Sequence, residues 1–107
     1  TKLIDNAKKD FIEGLIDEDT LRANLRALGL SDTVIEFHVR DALADREREY
    51  KKDLIDLYVD SYVKDLPGWD EDMLKEALSE VIVDEKAIEL IMAKAWVKKY
   101  RRPRRGS

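Results

Sequence analysis

His38 is the only histidine in the 107-residue chain. Its side chain is also the only one whose ordinary titration range brackets neutral pH. It falls on the apolar face of a helical pattern that includes Val34, Ile35, Val39, Ala42 and Leu43. Such a position suits a partly buried structural imidazole, because catalysis needs a nucleophile or a second titratable partner converging in a cleft. The chain has no cysteine, which excludes a thiolate nucleophile, a thiolate metal site and a disulfide framework. Ser31 stands at a helix-cap position, and Ser61 and Ser79 fall in mid-helix with no nucleophile elbow around them. The acidic triplets Asp17-Glu18-Asp19 and Asp70-Glu71-Asp72 invite comparison with cation sites. Asp65 to Glu76 even ends in the glutamate of an EF-hand loop, but it has Asp70 where glycine belongs and Pro67 at the third ligand position. Helix capping accounts for both triplets. The expectation is a protein that is not an enzyme and holds no cofactor and no metal.

The second chemistry on offer is cationic. Lys98, Lys99, Arg101, Arg102, Arg104 and Arg105 contribute +6 with no acid after Glu89, so the formal charge of −4 leaves −10 on the body. Six cations could neutralise several phosphates without reading sequence, with steep salt dependence. The plain alternative is a helix C-terminus complemented by lysines and followed by a solvated tail. Leu21 to Val34 also has the outline of a helix-turn-helix around Gly29. Its would-be recognition helix opens with Ser31-Asp32-Thr33 and carries Glu36, which would face phosphates, so packing is the better use of that hairpin.

These residues must be held by something, and the composition says it is helical. Charged residues make up 41% and hydrophobic residues 44%, with four Gly and two Pro. That is too apolar for a disordered chain and too poor in turn residues for an all-β one. The absence of Gln, with only Asn6 and Asn24, suggests a thermophilic source, although Asp exceeds Glu. No apolar stretch is long enough to span a membrane and no signal-peptide pattern opens the sequence. No membrane insertion is therefore expected, and the expected location is cytoplasmic.

The main organisational feature is an internal repeat. Leu3-Ile4-Asp5 recurs as Leu54-Ile55-Asp56, and Phe11-Ile12 recurs as Tyr62-Val63 at the same separation. After a two-residue insertion around Pro67-Gly68, Asp17-Glu18-Asp19 and Leu21 recur as Asp70-Glu71-Asp72 and Leu74. Leu25 then matches Leu78, Ile35-Glu36 matches Ile88-Glu89, and Ala42 matches Ala95.

Each copy reads as three helices. Leu3, Ile4, Ala7, Phe11 and Leu15 have helical spacing up to the stop at Gly14. Asp17 caps a second helix through Leu21, Leu25 and Leu28 to Gly29, and Ser31 caps the third. The stretch from Ala44 to Asp53 contains no Gly or Pro, so the third helix should run on into the second copy. One helix from about Asp32 to about Asp65 would span roughly 50 Å. Leu54, Leu57, Tyr58, Ser61 and Tyr62 resume the buried stripe; Asp70 and Asp84 cap the last two helices, and Trp96 reads as core. The expected domains are residues 1–49, residues 50–100 and a basic tail at 101–107.

A three-helix copy of this size is marginal by surface-to-volume scaling. An uninterrupted long helix would keep the two copies from sharing a core, which favours pairing with a second chain. The expected fold is therefore an all-α, internally duplicated helical bundle with a long central helix, completed as a homodimer. Tyr50, Tyr58, Tyr62, Trp69 and Tyr100 are the candidate anchors for protein partners, since aromatic side chains dominate interface energetics.

The pattern from Gly14-Leu-Ile-Asp-Glu-Asp through Leu21 to Leu28-Gly-Leu-Ser-Asp, followed by an Ile/Val-rich helix, resembles helical-hairpin segments in structural proteins of tailed phages and archaeal viruses. The resemblance covers residues 11 to 43 and, more weakly, 62 to 96, where Val81-Ile82-Val83 replaces Leu-Gly-Leu. It implies a viral or plasmid-encoded protein that acts by assembly, in the host cytoplasm or the virion. The expected function is a structural or protein–protein interaction module. The alternative is a small nucleic-acid-associated protein that binds DNA non-specifically through its basic tail.

Overall fold

A computed structural model describes residues 1–101. Arg102, Arg104 and Arg105 of the basic tail lie outside the described residues. Among those described, the chain is all-helical, with α1 (Lys2–Ile12), α2 (Glu18–Ala27), α3 (Asp32–Val63), α4 (Glu71–Val81) and α5 (Glu85–Arg101), and no strand. The charged stretch from Ala44 to Asp53 is helical without a break, with Arg48 paired to Asp45 one turn away at 2.7 Å. The chain divides into two compact units, Thr1–Tyr50 and the part from Lys51 onward, so α3 contributes a segment to each.

In the first unit α1, α2 and the start of α3 enclose Ala7, Phe11, Leu21, Leu25, Ile35, Val39 and Ala42. These recur three or four residues apart within each helix, the spacing that places a single row of side chains on one face. The turn after α1 is a left-handed helix stop. Gly14 takes φ +81°; its amide donates to the Phe11 carbonyl at 3.0 Å, and the Leu15 amide donates to the Asp10 carbonyl at 2.9 Å. This bond pair satisfies carbonyls that the helix end would otherwise strand. The Asp17 carboxylate then accepts the Thr20 amide at 2.8 Å and opens α2.

The second unit is built by the same local chemistry. Its core is Tyr62 and Val63 of α3, Leu74 and Leu78 of α4, and Ile88 and Ala95 of α5. The turn after α3 repeats the double bond, from the Asp65 amide to the Tyr62 carbonyl and from the Leu66 amide to the Ser61 carbonyl, both at 3.1 Å. Here a non-glycine residue, Asp65, occupies the left-handed position at φ +57°. Asp70 accepts the Met73 amide at 2.9 Å, and Asp84 accepts the Lys86 amide at 3.1 Å, capping α4 and α5.

Several residues expected in the buried rows are not in them. Leu3, Leu15 and Leu57 are mostly exposed, Val34 and Leu43 are partly so, and Trp96 keeps 48% of its surface accessible. Geometry explains it: a core between three short helices takes one narrow row from each. Trp96 follows Ala95 and so lies about 100° round the helix from the buried row.

At Gly14 a Cβ atom would meet nothing within 4 Å, so any cost of substitution there comes from the left-handed backbone alone. Gly14→Ala should destabilise the protein by about 1–2 kcal/mol in urea denaturation, and Gly14→Asn by clearly less. Equal losses for the two variants would show that the turn does not depend on that conformation.

Candidate interaction surface

The polar side chains singled out by type cap helices, bond back along their own helix or join one helix to its neighbour. His38 is half-buried, with Nδ1 3.4 Å from the Lys8 ammonium and its ring edge-on to Phe37. Lys8 also donates to Asp41 at 2.6 Å, and this ion pair holds the Asp41 carboxyl below the usual carboxylate range. The grouping pins α1 to α3. Arg22 of α2 forks onto both carboxylate oxygens of Glu36 at 2.8 and 3.2 Å and reaches Glu18 at 2.8 Å. The arginine hydrogen bonds lower the Glu36 pKa, and the bond to Glu36 raises that of Arg22. In the first triplet, hydrogen bonds from Thr20 lower the pKa of Asp17. No group of three or more His, Asp or Glu side chains that could hold a metal ion occurs among the described residues. Nor is any helix there long and apolar enough to cross a membrane.

The five candidate anchors occupy quite different environments. Tyr50 is exposed on α3, and Tyr100 is 57% exposed on α5. Tyr58 and Trp69 are half-buried and stacked on each other at 5.5 Å between ring centroids. Tyr62 is only 2% exposed and sits in the core of its unit. The structure therefore brings Tyr58, Tyr62 and Trp69 together as packing and leaves Tyr50 and Tyr100 on the surface.

The cationic residues also separate. Lys99 is largely covered: its ammonium pairs with Asp65 at 3.3 Å and lies 4.3 Å from the Tyr62 ring centre. Lys98 and Arg101 stay exposed.

Sequence reasoning missed the exposed apolar side chains. Phe37 on α3 is 66% exposed, and α5 presents Leu90 (56% exposed), Trp96 and Val97 as well as Tyr100. Trp96 and Tyr100, one turn apart, bring their ring centroids within 5.0 Å. A usable signal was present. Along Ala87 to Trp96 only Glu89 and Lys94 are polar, more apolar residues than a helix with one buried stripe requires. Comparison with family models, with curated proteins and with solved structures gives no match for this chain.

Two measurements probe these environments. Asp17, Glu36 and Asp41 all have lowered pKa values in the folded state, so folding favours their charged forms. Their stabilisation is whole above the ordinary carboxylate values and fades as pH falls through the lowered ones. Thermal melting should therefore drop between about pH 5 and about pH 3, and less steeply in Glu36→Gln/Asp41→Asn. An unchanged acid slope in that double variant would remove these two groups as the cause. The Tyr62 hydroxyl is buried beside Glu71 and Tyr100 without a hydrogen bond of good geometry to any described residue, and burial, then the Glu71 carboxylate, pushes its pKa up to about 12. Tyr62→Phe, which gives the second unit the residue found at Phe11 in the first, should leave stability unchanged or raise it. A loss above about 1 kcal/mol would mean that the hydroxyl is satisfied.

Proposed function

We propose that this chain is a non-enzymatic, internally duplicated interaction module that works as a homodimer. The observation that carries the proposal is the apolar excess of α5. This helix buries Ile88 and Ala95 in its own unit, yet leaves Leu90, Trp96, Val97 and Tyr100 exposed on other faces. Exposed apolar side chains in that number on one helix, with Trp96 and Tyr100 in ring contact, suit a place where another protein packs. An assembly role is also what the likeness to viral helical hairpins implies.

The duplication is supported position by position. Phe11 and Tyr62, Leu21 and Leu74, Leu25 and Leu78, Ile35 and Ile88, and Ala42 and Ala95 are each buried in their own unit. The left-handed stops at Gly14 and Asp65 and the caps at Asp17 and Asp70 fall at matching places with matching bonds. Shared helical periodicity alone would not place a left-handed residue at the same point of both turns.

Light scattering on the eluting protein at micromolar concentration should give twice the 12.5 kDa chain mass. A single-chain mass under those conditions would end the homodimer proposal. A second reading, non-specific DNA binding at the basic end, is favoured by the exposure of Lys98 and Arg101. Filter binding at two salt concentrations separates the two readings, because only the phosphate-binding one brings a steep fall in affinity as salt rises.

A further inference from the structure

Within the second unit, α3 and α5 leave an open groove of about 680 Å³ between them. Ile55 and Val59 of α3, with Ile91 and Ala95 of α5, line it with apolar side chains. Asp56 and Asp60 stand on the α3 side and Lys94 and Lys98 on the α5 side. Each pair is four residues apart, so its two members share one helix face. Asp60 is paired along its own helix with Lys64 at 2.9 Å. Among the described residues no ion pair links the two acids to the two lysines across the groove.

The first unit treats the corresponding seam differently. At the place of Val59 it has Lys8, at the place of Lys94 it has Asp41, and the two form the 2.6 Å ion pair. The stem of Lys8, 15% exposed, covers that seam. In the second unit the position of the closing lysine is apolar and the position of its acid is a lysine, so no such pair can form.

We propose that this groove is the homodimer contact, with a second copy of the chain docked face to face on it about a twofold axis running along the groove. The proposal rests on the homodimer reading above and names its surface. Charge selects both the occupant and the axis. A twofold contact presents the same surface from each partner. With the axis along the groove, the Asp56 and Asp60 wall of one protomer lies on the Lys94 and Lys98 wall of the other, and the reverse holds on the opposite side. An axis running across the groove would set acid on acid and lysine on lysine, which opposes that arrangement. A polyanion such as DNA would meet repulsion at the aspartates, and a uniformly charged peptide would meet it at one wall or the other. Only a partner carrying both signs in the same order satisfies both walls, and a second copy does so by symmetry. Leu57, 58% exposed, also lines the groove and adds apolar area that such docking would cover.

The test uses two full-length variants, D56K/D60K and K94E/K98E, and their equimolar mixture, each followed by light scattering, with circular dichroism to confirm helicity. Each variant alone puts like charges face to face and should weaken the dimer by about tenfold or more. Mixed, every reversed wall meets an opposite one, so a heterodimer should form and native mass spectrometry should detect it. Two dimeric variants beside a dimeric wild type would overturn the groove as the contact and leave the homodimer reading standing. Monomeric, helical variants that stay monomeric on mixing would overturn the twofold arrangement. A monomeric wild type would overturn both readings. If charge reversal costs helicity, D56N/D60N and K94Q/K98Q take its place. Those neutral variants should still weaken the dimer and make it less sensitive to salt, and unchanged affinity and salt dependence in both would again overturn the groove.

Discussion

Apolar burial is in short supply in this molecule, and most of its features follow from that shortage. Three short helices can enclose only a thin line of side chains. The first unit encloses a core running from Ala7 to Ala42, and the second one running from Tyr62 to Ala95. A body of that size buries a smaller fraction of its surface than a larger domain does and stands near the lower limit of independent stability. The chain compensates at its helix ends. The turns after α1 and α3 are closed by paired backbone bonds, and α2, α4 and α5 open on aspartate side-chain caps, so fewer polar groups are stranded where the core is thin. The polar pairs serve the same end: Lys8 with Asp41 ties α1 to α3, and Arg22 with Glu36 ties α2 to α3, beside the core of the first unit.

Thin cores also leave apolar side chains over. A helix in a larger protein would bury Leu90, Trp96 and Val97 against further layers, whereas here the unit has none to offer. Part of the leftover surface, Leu57 with the apolar lining of the α3–α5 groove, is where the proposed second copy would supply a layer, whereas Trp96 lies on another face of α5. Assembly and stability are, on this account, a single problem with a single solution.

Much of the architecture was legible in the residues because helix boundaries are written locally. Gly14, Asp17, Gly29, Asp70 and Asp84 mark stops and starts through their own backbone preferences and hydrogen bonds, and α3 could be read through its charged middle because nothing between Ala44 and Asp53 interrupts a helix. Burial was less legible, because it depends on how wide a face the neighbouring helices cover. Leu15, Leu57 and Trp96 have the right residue type and nearly the right spacing, yet fall outside the narrow row. Tyr62 carried two readings, an aromatic anchor for partners and a member of the buried stripe opposite Phe11 in the repeat, and it lies in the core. Contacts between distant residues, such as Lys99 on the Tyr62 ring or Lys8 beside His38, carry no local signal. The open groove has no local signal either: it exists because Val59 and Lys94 stand where Lys8 and Asp41 close the first seam.

If each chain relies on a second copy to complete its burial, folding and association are coupled, and apparent stability must depend on protein concentration. Urea unfolding followed by circular dichroism from about 1 to about 100 μM protein measures that coupling directly. The account predicts an unfolding midpoint that climbs steadily as concentration rises. A midpoint that stays fixed across that range would contradict it, because the single chain would then be stable without its partner.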